Sequence, residues 1–276
     1  RERSPLEVFS QRIYCEPSRS EMGGPNCRVE TRAPPGVFYH PPSRIFCYAG
    51  DYFIKYSLTL PNLCWLELVG QGSLNTRIWG FLMLMEYTKG MLGGLFLCYP
   101  AQENFEPTLV IRGGPWRLLH CDIRSTIEIP TAALVTMDRA DVSVVECGIG
   151  GLEEVKVIMK KHRFAGEKFP FRGEPNTGLI CLDESWCCLL GCTIENTGEG
   201  GAGIRYSEFA GGLIESCLIQ LNDVGIMLDG SVRVAVYSSL FQHNVMGALY
   251  AGRSISEETE VELVDNTICS NSMSED

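Results

Sequence analysis

A short pattern recurs through the second half of the chain and constrains its fold more than any other feature. It consists of Cys, any residue and Ile, and it returns at intervals of 22 to 27 residues, with one longer interval of 45. Recurrence at a nearly constant period of this length is typical of solenoids, in which similar coils stack on one another. The copies are Cys121–Ile123, Cys147–Ile149, Cys192–Ile194 and Cys217–Ile219, with looser versions at Ser239–Phe241 and Asn266–Ile268.

Each later copy is followed by an Asn three residues on, at Asn222, Asn244 and Asn271, and two of these by a Gly, at Gly225 and Gly247. Turn geometry alone would explain these two glycines. Short apolar runs bounded by Gly, Asn, Asp or Ser fill the repeat, and long helical patterns are absent from the sequence. The repeat therefore reads as strand, turn, strand, turn. We predict an all-β chain that forms a single right-handed parallel β-helix of roughly eight or nine coils.

The period also predicts the organisation of the chain. Residues 1–45 are rich in Arg, Glu, Pro, Ser and Gly, which is typical of an irregular N-terminal arm. Residues 46–272 form the predicted β-helix, and 273–276 form an acidic tail. Because one interval is longer by about 20 residues, an insertion is predicted at 153–177.

In a stacked coil, equivalent positions lie over one another. The recurring cysteines are therefore predicted to form an inward ladder, in which thiols are favoured over disulfides, although stacked spacing would permit a disulfide. The chain has 13 cysteines and no Cys-x-x-Cys pair, which argues against zinc and favours an intracellular, reducing compartment. Asn222, Asn244 and Asn271 are predicted to occupy one turn, where an Asn can adopt left-handed geometry and hydrogen-bond the neighbouring coil, with a sugar-contacting row as the alternative.

The charge balance argues against nucleic-acid binding, because 34 acidic residues against 23 basic ones give a net charge of −11. The most apolar segment, residues 78–100, contains Glu86 and Lys89, and its uncharged runs are shorter than a membrane span requires. We therefore predict buried strands there and no transmembrane segment.

The insertion is net positive on an acidic protein and also carries three phenylalanines. A loop that leaves the solenoid with basic and aromatic side chains is suited to a partner contact, with a solvated loop as the alternative. We therefore predict protein partners that bind through the N-terminal arm and the insertion. The candidate binding residues are Lys160, Lys161, Arg163, Phe164, Phe169 and Phe171.

Several segments resemble the pectin-lyase-like β-helix superfamily. They are AGDYF (49–53), LELVGQG (66–72), TRIWG (76–80) and GGPWRLLHCDIRS (113–125), together with the Cys-x-Ile repeats. Within that superfamily the chain looks most like the eukaryotic intracellular β-helix repeats of certain F-box proteins and Shc-SH2-binding proteins. The resemblance implies a non-enzymatic recognition or scaffold surface, such as an accessory subunit of a larger assembly.

The alternative is a carbohydrate-active enzyme (a polysaccharide lyase, hydrolase or epimerase) or a glycan-binding module. The resemblance gives it little support, because the chain lacks the Asp-Asp, Gly-His-Gly and Arg-x-Lys motifs of polygalacturonase-like members. The four histidines, His40, His120, His162 and His243, also lack evident partners in the sequence. We predict no catalytic residues, metal or cofactor. The carboxylates that an enzyme would have available are Asp122, Asp138, Asp141, Asp183, Glu184 and Asp223.

Overall fold

The computed structural model describes residues 12–15, 43–54, 58–60, 65–86, 88–99, 106–126, 131–152, 176–195, 197 and 200–271. Within these ranges the chain forms 27 β-strands and no helix. No described segment could therefore cross a membrane as a helix.

The first strands are β1 (Arg12–Cys15), β2 (Ser43–Cys47), β3 (Gly50–Phe53), β4 (Leu58–Leu60), β5 (Trp65–Val69), β6 (Thr76–Trp79), β7 (Leu82–Leu84), β8 (Lys89–Gly93), β9 (Phe96–Tyr99), β10 (Leu109–Arg112), β11 (Pro115–Leu119), β12 (Asp122–Thr126), β13 (Ala132–Met137) and β14 (Asp141–Val145). They are followed by β15 (Gly148–Leu152), β16 (Thr177–Cys181), β17 (Trp186–Leu190), β18 (Thr193–Glu195), β19 (Ala202–Tyr206), β20 (Gly211–Glu215), β21 (Leu218–Gln220), β22 (Val224–Leu228), β23 (Arg233–Tyr237), β24 (Leu240–Gln242), β25 (Gly247–Ala251), β26 (Glu260–Val264) and β27 (Thr267–Cys269).

The strands belong to three parallel sheets, which successive strands enter in turn. Sheet A has the order β1-β2-β5-β8-β11-β14-β17-β20-β23-β26, sheet B runs from β3 to β27, and sheet C runs from β4 to β25. Among the described residues, β2 to β25 form eight consecutive triplets, with β1 ahead of them and β26 and β27 behind. The parallel β-helix predicted from the repeat is confirmed, and the apolar segment 78–100 forms strands of it.

Alternation along each strand separates the interior of the coil from its surface, since successive side chains point to opposite faces. In sheet B the inward column includes Ile123, Ile149 and Ile194, which are in direct register and fully buried. Equivalent columns from sheets A and C meet these residues in one core. A sequence of short strands can build this core because each coil buries its apolar side chains against its neighbours.

The recurring cysteines lie at the turn from sheet A to sheet B and form the predicted inward ladder. The Cys121 amide donates to Cys147 Sγ at 3.2 Å, and the Cys192 amide donates to Cys217 Sγ at 3.4 Å. Ser239 takes the same position in the next coil, where its Oγ accepts the Cys217 amide at 3.1 Å. The ten cysteines whose side chains the structure describes are free thiols, which agrees with the predicted preference for thiols.

The asparagines form a second ladder, but their backbone geometry differs from the prediction. The left-handed residue of each turn is the one before the Asn, at Leu221, His243 and Ser270, with φ of 56°, 56° and 51°. The predicted hydrogen bond to the neighbouring coil is present, since Asn222 Nδ2 donates to Asn244 Oδ1 at 3.1 Å. A buried amide that bonds both the backbone and its own equivalent serves as a rung between coils.

The turn-geometry explanation of Gly225 is wrong. Gly225 lies inside β22, where an added Cβ would come within 2.5 Å of the Ala248 carbonyl oxygen. Gly178 and Gly203 precede it in the same column and approach the following coil equally closely. These glycines are required because the backbones of neighbouring coils meet there without room for a side chain.

Candidate functional site

The outward face of sheet A carries two tryptophans in one column. By register, the column holds Trp65, Lys89, Pro115, Asp141, Trp186, Gly211, Arg233 and Glu260. These positions begin their strands and point away from the core, because the next residue of each strand points inward. The face is therefore a flat surface whose side chains are set at fixed intervals by the stacking of the coils.

Trp186 lies across its neighbour Gly211. A Cβ built on Gly211 would come within 2.6 Å of Trp186 Cζ3, so the indole covers the glycine backbone. The indole Nε1 also donates to Cys188 Sγ at 3.2 Å. Trp186 nevertheless remains 43% exposed, because only one face of the ring rests on the sheet. The result is a large apolar ring that is held in place and open to solvent.

Other apolar side chains lie on the same face of sheet A or on the turn before β20. Leu190 and Phe209 are exposed, and Cys188 and Leu213 are half-buried and in direct register with each other. We call Trp186, Cys188, Leu190, Phe209 and Leu213 the Trp186 patch. A contiguous exposed apolar area of this kind is typical of a binding surface rather than of ordinary solvent-exposed sheet.

Charged residues border the Trp186 patch. Asp141 precedes Trp186 in the column, Arg233 follows Gly211, and Glu215 is in register with Leu190. Arg233 is itself paired with Glu260, with Nε and Oε2 3.4 Å apart. An apolar centre with a polar rim is the usual composition of a protein interface.

Trp65 lies in the same column, four strands before Trp186. Lys89 Nζ lies 5.0 Å from the centre of its ring, which is cation–π geometry. At about 4.8 Å per strand, the two tryptophans are about 19 Å apart. A partner that covers both would therefore have to extend across five coils.

Sheet B carries a polar ladder on its outward face. Arg124 Nε donates to Asp122 Oδ1 at 2.6 Å, and its Nη2 lies 3.5 Å from Glu195 Oε1. Gln220 Nε2 donates to Glu195 Oε2, and Gln242 Nε2 donates to Gln220 Oε1, both at 2.8 Å. We call these five residues the sheet B ladder, in which a guanidinium, two carboxylates and two amides are linked across successive coils.

Two glycines make the central link of this ladder possible. Arg124 and Glu195 belong to β12 and β18, and β15 lies between these strands. A Cβ on Gly148 would come within 2.6 Å of Asp122 Oδ1 and 3.0 Å of Arg124 Nη2. Asp122 and Gly148 are in direct register, as the spacing of the Cys-x-Ile copies implies, but Glu195 was not among the predicted carboxylates. The repeat could have indicated Glu195, because Arg124, Gly150 and Glu195 take the same position in three successive coils.

Three of the other predicted carboxylates, Asp183, Glu184 and Asp223, accept hydrogen bonds at turns. Asp183 Oδ2 accepts the Asp138 amide at 3.0 Å. Glu184 Oε2 accepts from Arg139 Nε at 2.7 Å. Asp223, which the sequence left free for a site, accepts the Gly200 amide instead. These groups stabilise turns between coils and do not converge on a common centre.

His120 also has a partner that the sequence did not indicate. Its Nδ1 lies 3.0 Å from Glu146 Oε2, and both side chains are exposed at the turn between sheets A and B. The described part of the chain contains no group of three His, Cys, Asp or Glu side chains placed to hold a metal ion. The candidate binding residues of the insertion, Lys160 to Phe171, lie outside the described residues.

No family model matches the chain, and no curated protein matches it. Its fold is similar to that of the pectin methylesterase from Aspergillus niger, whose crystal structure was determined in deglycosylated form. The TM-score is 0.52 at 10% sequence identity, over 84% of this chain and 79% of that one. Geobacillus virus E2 ORF18 matches over 85% of this chain and 55% of its own length, with 11% identity and a TM-score of 0.28.

The first similarity agrees with the predicted parallel β-helix fold. At 10% identity it does not extend to activity. The narrower resemblance to β-helix repeats of F-box and Shc-SH2-binding proteins stays a prediction. The chain therefore has a parallel β-helix fold, with the Trp186 patch on sheet A and the sheet B ladder as its two candidate sites.

Proposed function

We propose that this chain is a non-enzymatic recognition module that binds a protein partner on sheet A through the Trp186 patch. The observation that carries the proposal is the indole of Trp186, which is seated on the backbone of Gly211 and still 43% exposed. Exposing so much apolar surface on a fixed ring has no benefit for the isolated fold. It does benefit association, in which the ring is already ordered before the partner arrives.

The surroundings of the ring support a protein partner. Tryptophan is over-represented among the residues that dominate binding energy, and such residues lie inside a ring of contacts that exclude water. In the Trp186 patch, Leu190 and Phe209 would supply these water-excluding contacts. Asp141, Glu215 and Arg233 would then lie at the rim, where charges orient the partner more than they add affinity.

The wider setting is part of the same proposal. We propose an accessory subunit of a eukaryotic assembly, related to the β-helix repeats of F-box and Shc-SH2-binding proteins, in an intracellular reducing compartment. The free thiols of the cysteine ladder support the reducing environment, since buried thiols of this number are typical of proteins not exposed to oxidation. The N-terminal arm and the 153–177 insertion remain proposed as additional contacts with the partner.

The test is a comparison of purified Trp186→Ala with Leu74→Ala in a pull-down from the source cells, followed by mass spectrometry. Leu74 is a highly exposed leucine on the turn between β5 and β6, so its variant controls for loss of any surface apolar group. We expect a protein retained by the native chain and by Leu74→Ala to be lost with Trp186→Ala. Equal retention by both variants would show that the Trp186 patch is not the binding surface.

A second candidate function is carbohydrate binding or conversion, which the sheet B ladder favours. Carboxylate, guanidinium and amide groups held in a row can bond the hydroxyl and carboxyl groups of a polysaccharide. The two carboxylates of the ladder, Asp122 and Glu195, contact the same guanidinium, that of Arg124. The fold similarity to a pectin methylesterase is compatible with carbohydrate binding or conversion.

Incubation with methyl-esterified and free polygalacturonate, with Gln220→Ala as the matched variant, separates the two functions. Turnover that depends on Gln220 would replace the recognition proposal.

A further inference from the structure

The two tryptophans in the outward column of sheet A have different neighbours on the strand that follows each of them. Trp65 is followed by Lys89, whose Nζ lies 5.0 Å from the centre of the ring. Trp186 is followed by Gly211, which has no side chain to place over the indole. The ring of Trp65 therefore already carries a cation from its own chain, whereas the outer face of Trp186 is exposed to solvent.

The strand on the other side of Trp186 supplies a carboxylate. Asp141 is in direct register with Trp186 and is exposed. Glu215, which is in register with Leu190 of the Trp186 patch, is exposed as well. No ion pair or hydrogen bond joins either carboxylate to another residue that the structure describes. Both negative charges are therefore available to a partner.

The turns that lead into this part of sheet A are also acidic. Asp183 and Glu208 lie in successive coils, three residues before Trp186 and Gly211, and the Asp183 amide donates to Glu208 Oε2 at 3.2 Å. Loss of hydration, and then the hydrogen bond and charge of Asp183, raise the pKa of Glu208. Within the described ranges, neither carboxylate is paired with a cation. A cation brought by a partner would relieve the repulsion between them.

The basic side chains nearby are already neutralised. Arg233 Nε lies 3.4 Å from Glu260 Oε2, and Arg139 Nε donates to Glu184 Oε2 at 2.7 Å. The unpaired charge around the Trp186 patch is therefore negative. A basic segment would be attracted to the patch, and an acidic one would be repelled.

An exposed indole face beside an unpaired carboxylate has the chemistry that a guanidinium requires. Tryptophan is the aromatic residue that binds cations best over its ring. The guanidinium of arginine is planar, so it can stack on the indole while its N–H groups donate to a carboxylate. A lysine ammonium is a compact charge and cannot make both contacts with the same geometry.

We propose that the partner of the Trp186 patch contributes an arginine whose guanidinium stacks on the exposed face of Trp186 and donates to the Asp141 carboxylate. Apolar side chains of the same segment cover Leu190 and Phe209. This inference rests on the proposed function and names the chemistry of the partner that the patch selects.

The experiment exposes the whole chain to a phage-displayed library of random peptides of about six residues, the typical length of a strand. Peptides that the native chain retains and Trp186→Ala does not retain are the ligands of the patch. We expect arginine to be enriched about threefold among them over its frequency in the library.

A synthetic peptide from this selection then measures the contribution of the guanidinium by fluorescence anisotropy. Replacing its arginine with citrulline, which keeps the shape and removes the charge, should weaken binding about tenfold. Asp141→Asn should weaken binding of the arginine peptide and leave binding of the citrulline peptide unchanged. Glu257→Gln removes the same charge from an exposed turn between β25 and β26 and should change neither.

The outcomes separate this inference from the proposed function. Ligands of the patch without enriched arginine would overturn the inference and leave the recognition proposal standing. Equal binding of the arginine and citrulline peptides would do the same. Equal weakening by Asp141→Asn and Glu257→Gln would also overturn it, because attraction to the net charge of −11 would then explain the binding. A selection that yields no peptide dependent on Trp186 would overturn it too, while the pull-down decides the proposed function separately.

Discussion

The indole of Trp186 rests on the backbone of Gly211, which is its direct partner on the next strand of sheet A. The two residues depend on each other. Gly211 leaves the space that the ring occupies, and the ring covers a backbone that would otherwise meet solvent. An aromatic side chain on a glycine of the neighbouring strand is therefore the local structure that makes the Trp186 patch both exposed and ordered.

This pair predicts that Gly211→Ala destabilises the protein by about 1–3 kcal/mol, because the new methyl group displaces the ring or the strand. Gly93→Ala is the matched control, since Gly93 lies in β8 of the same sheet and the nearest atom to its added Cβ is 3.8 Å away. Urea denaturation measures both. Combined with Trp186→Ala, Gly211→Ala should cost less than it does alone, because the ring is gone. Strict additivity would contradict the contact.

The asparagine ladder predicts that replacing Asn244, its middle residue, strongly destabilises the protein. Asn244 is fully buried, donates to the Ile219 carbonyl at 3.0 Å and accepts from Asn222. Asn244→Ala orphans these groups and should lower the free energy of unfolding by about 3 kcal/mol. The control is Asn75→Ala, which removes one exposed hydrogen bond to the Gln71 carbonyl. A similar loss in both variants would show that the ladder contributes nothing special.

The reactivity of each thiol should decrease as its burial in the β-helix increases. Burial raises the pKa of the Cys47 thiol to about 11, so that it stays protonated at neutral pH. Cys269, the last residue of β27, is exposed. We expect iodoacetamide at about pH 8 to modify Cys269 in the native protein and to reach Cys47, Cys121 and Cys192 only after denaturation. Peptide mapping by mass spectrometry reads the order. Native labelling of Cys121 as fast as Cys269 would contradict the buried ladder.

The environment of Glu208 predicts that replacing this residue changes the stability of the protein in a pH-dependent way. Loss of hydration and then the neighbouring Asp183 carboxylate raise the pKa of Glu208 above its ordinary value. A raised folded-state pKa favours the folded protein below the ordinary value of about 4.3, and this advantage is lost as pH rises through the raised value. At pH 7 the charged carboxylate is therefore unfavourable. Glu208→Gln should raise the melting temperature at neutral pH.

The same difference should disappear at about pH 3.5, where the native carboxyl is protonated. Glu257→Gln is the matched control, an exposed glutamate on the turn between β25 and β26, and should change the melting temperature little at either pH. Calorimetry at the two pH values measures the change in melting temperature that each variant causes. A Glu208→Gln variant that melts lower than the native protein at pH 7 would show that its hydrogen bond to the Asp183 amide outweighs the repulsion.

Much of the architecture was determined by the sequence alone. The interval between Cys121 and Cys147, repeated at Cys192 and Cys217, predicted which residues stack, and those pairs lie in adjacent coils. The same pattern placed Ile123 and its equivalents in one column. These predictions succeeded because a repeat maps sequence distance directly onto stacking distance, so that one period defines both the neighbours and the inward face.

The candidate surfaces were decided only by the tertiary structure. The contact of Trp186 with Gly211 and the link from Arg124 across Gly148 to Glu195 join residues whose relation depends on the register of outward side chains. Outward positions carry no apolar period, since solvent accepts many residue types there. A period identifies the core, whereas surface contacts exist only once the coils are stacked in space.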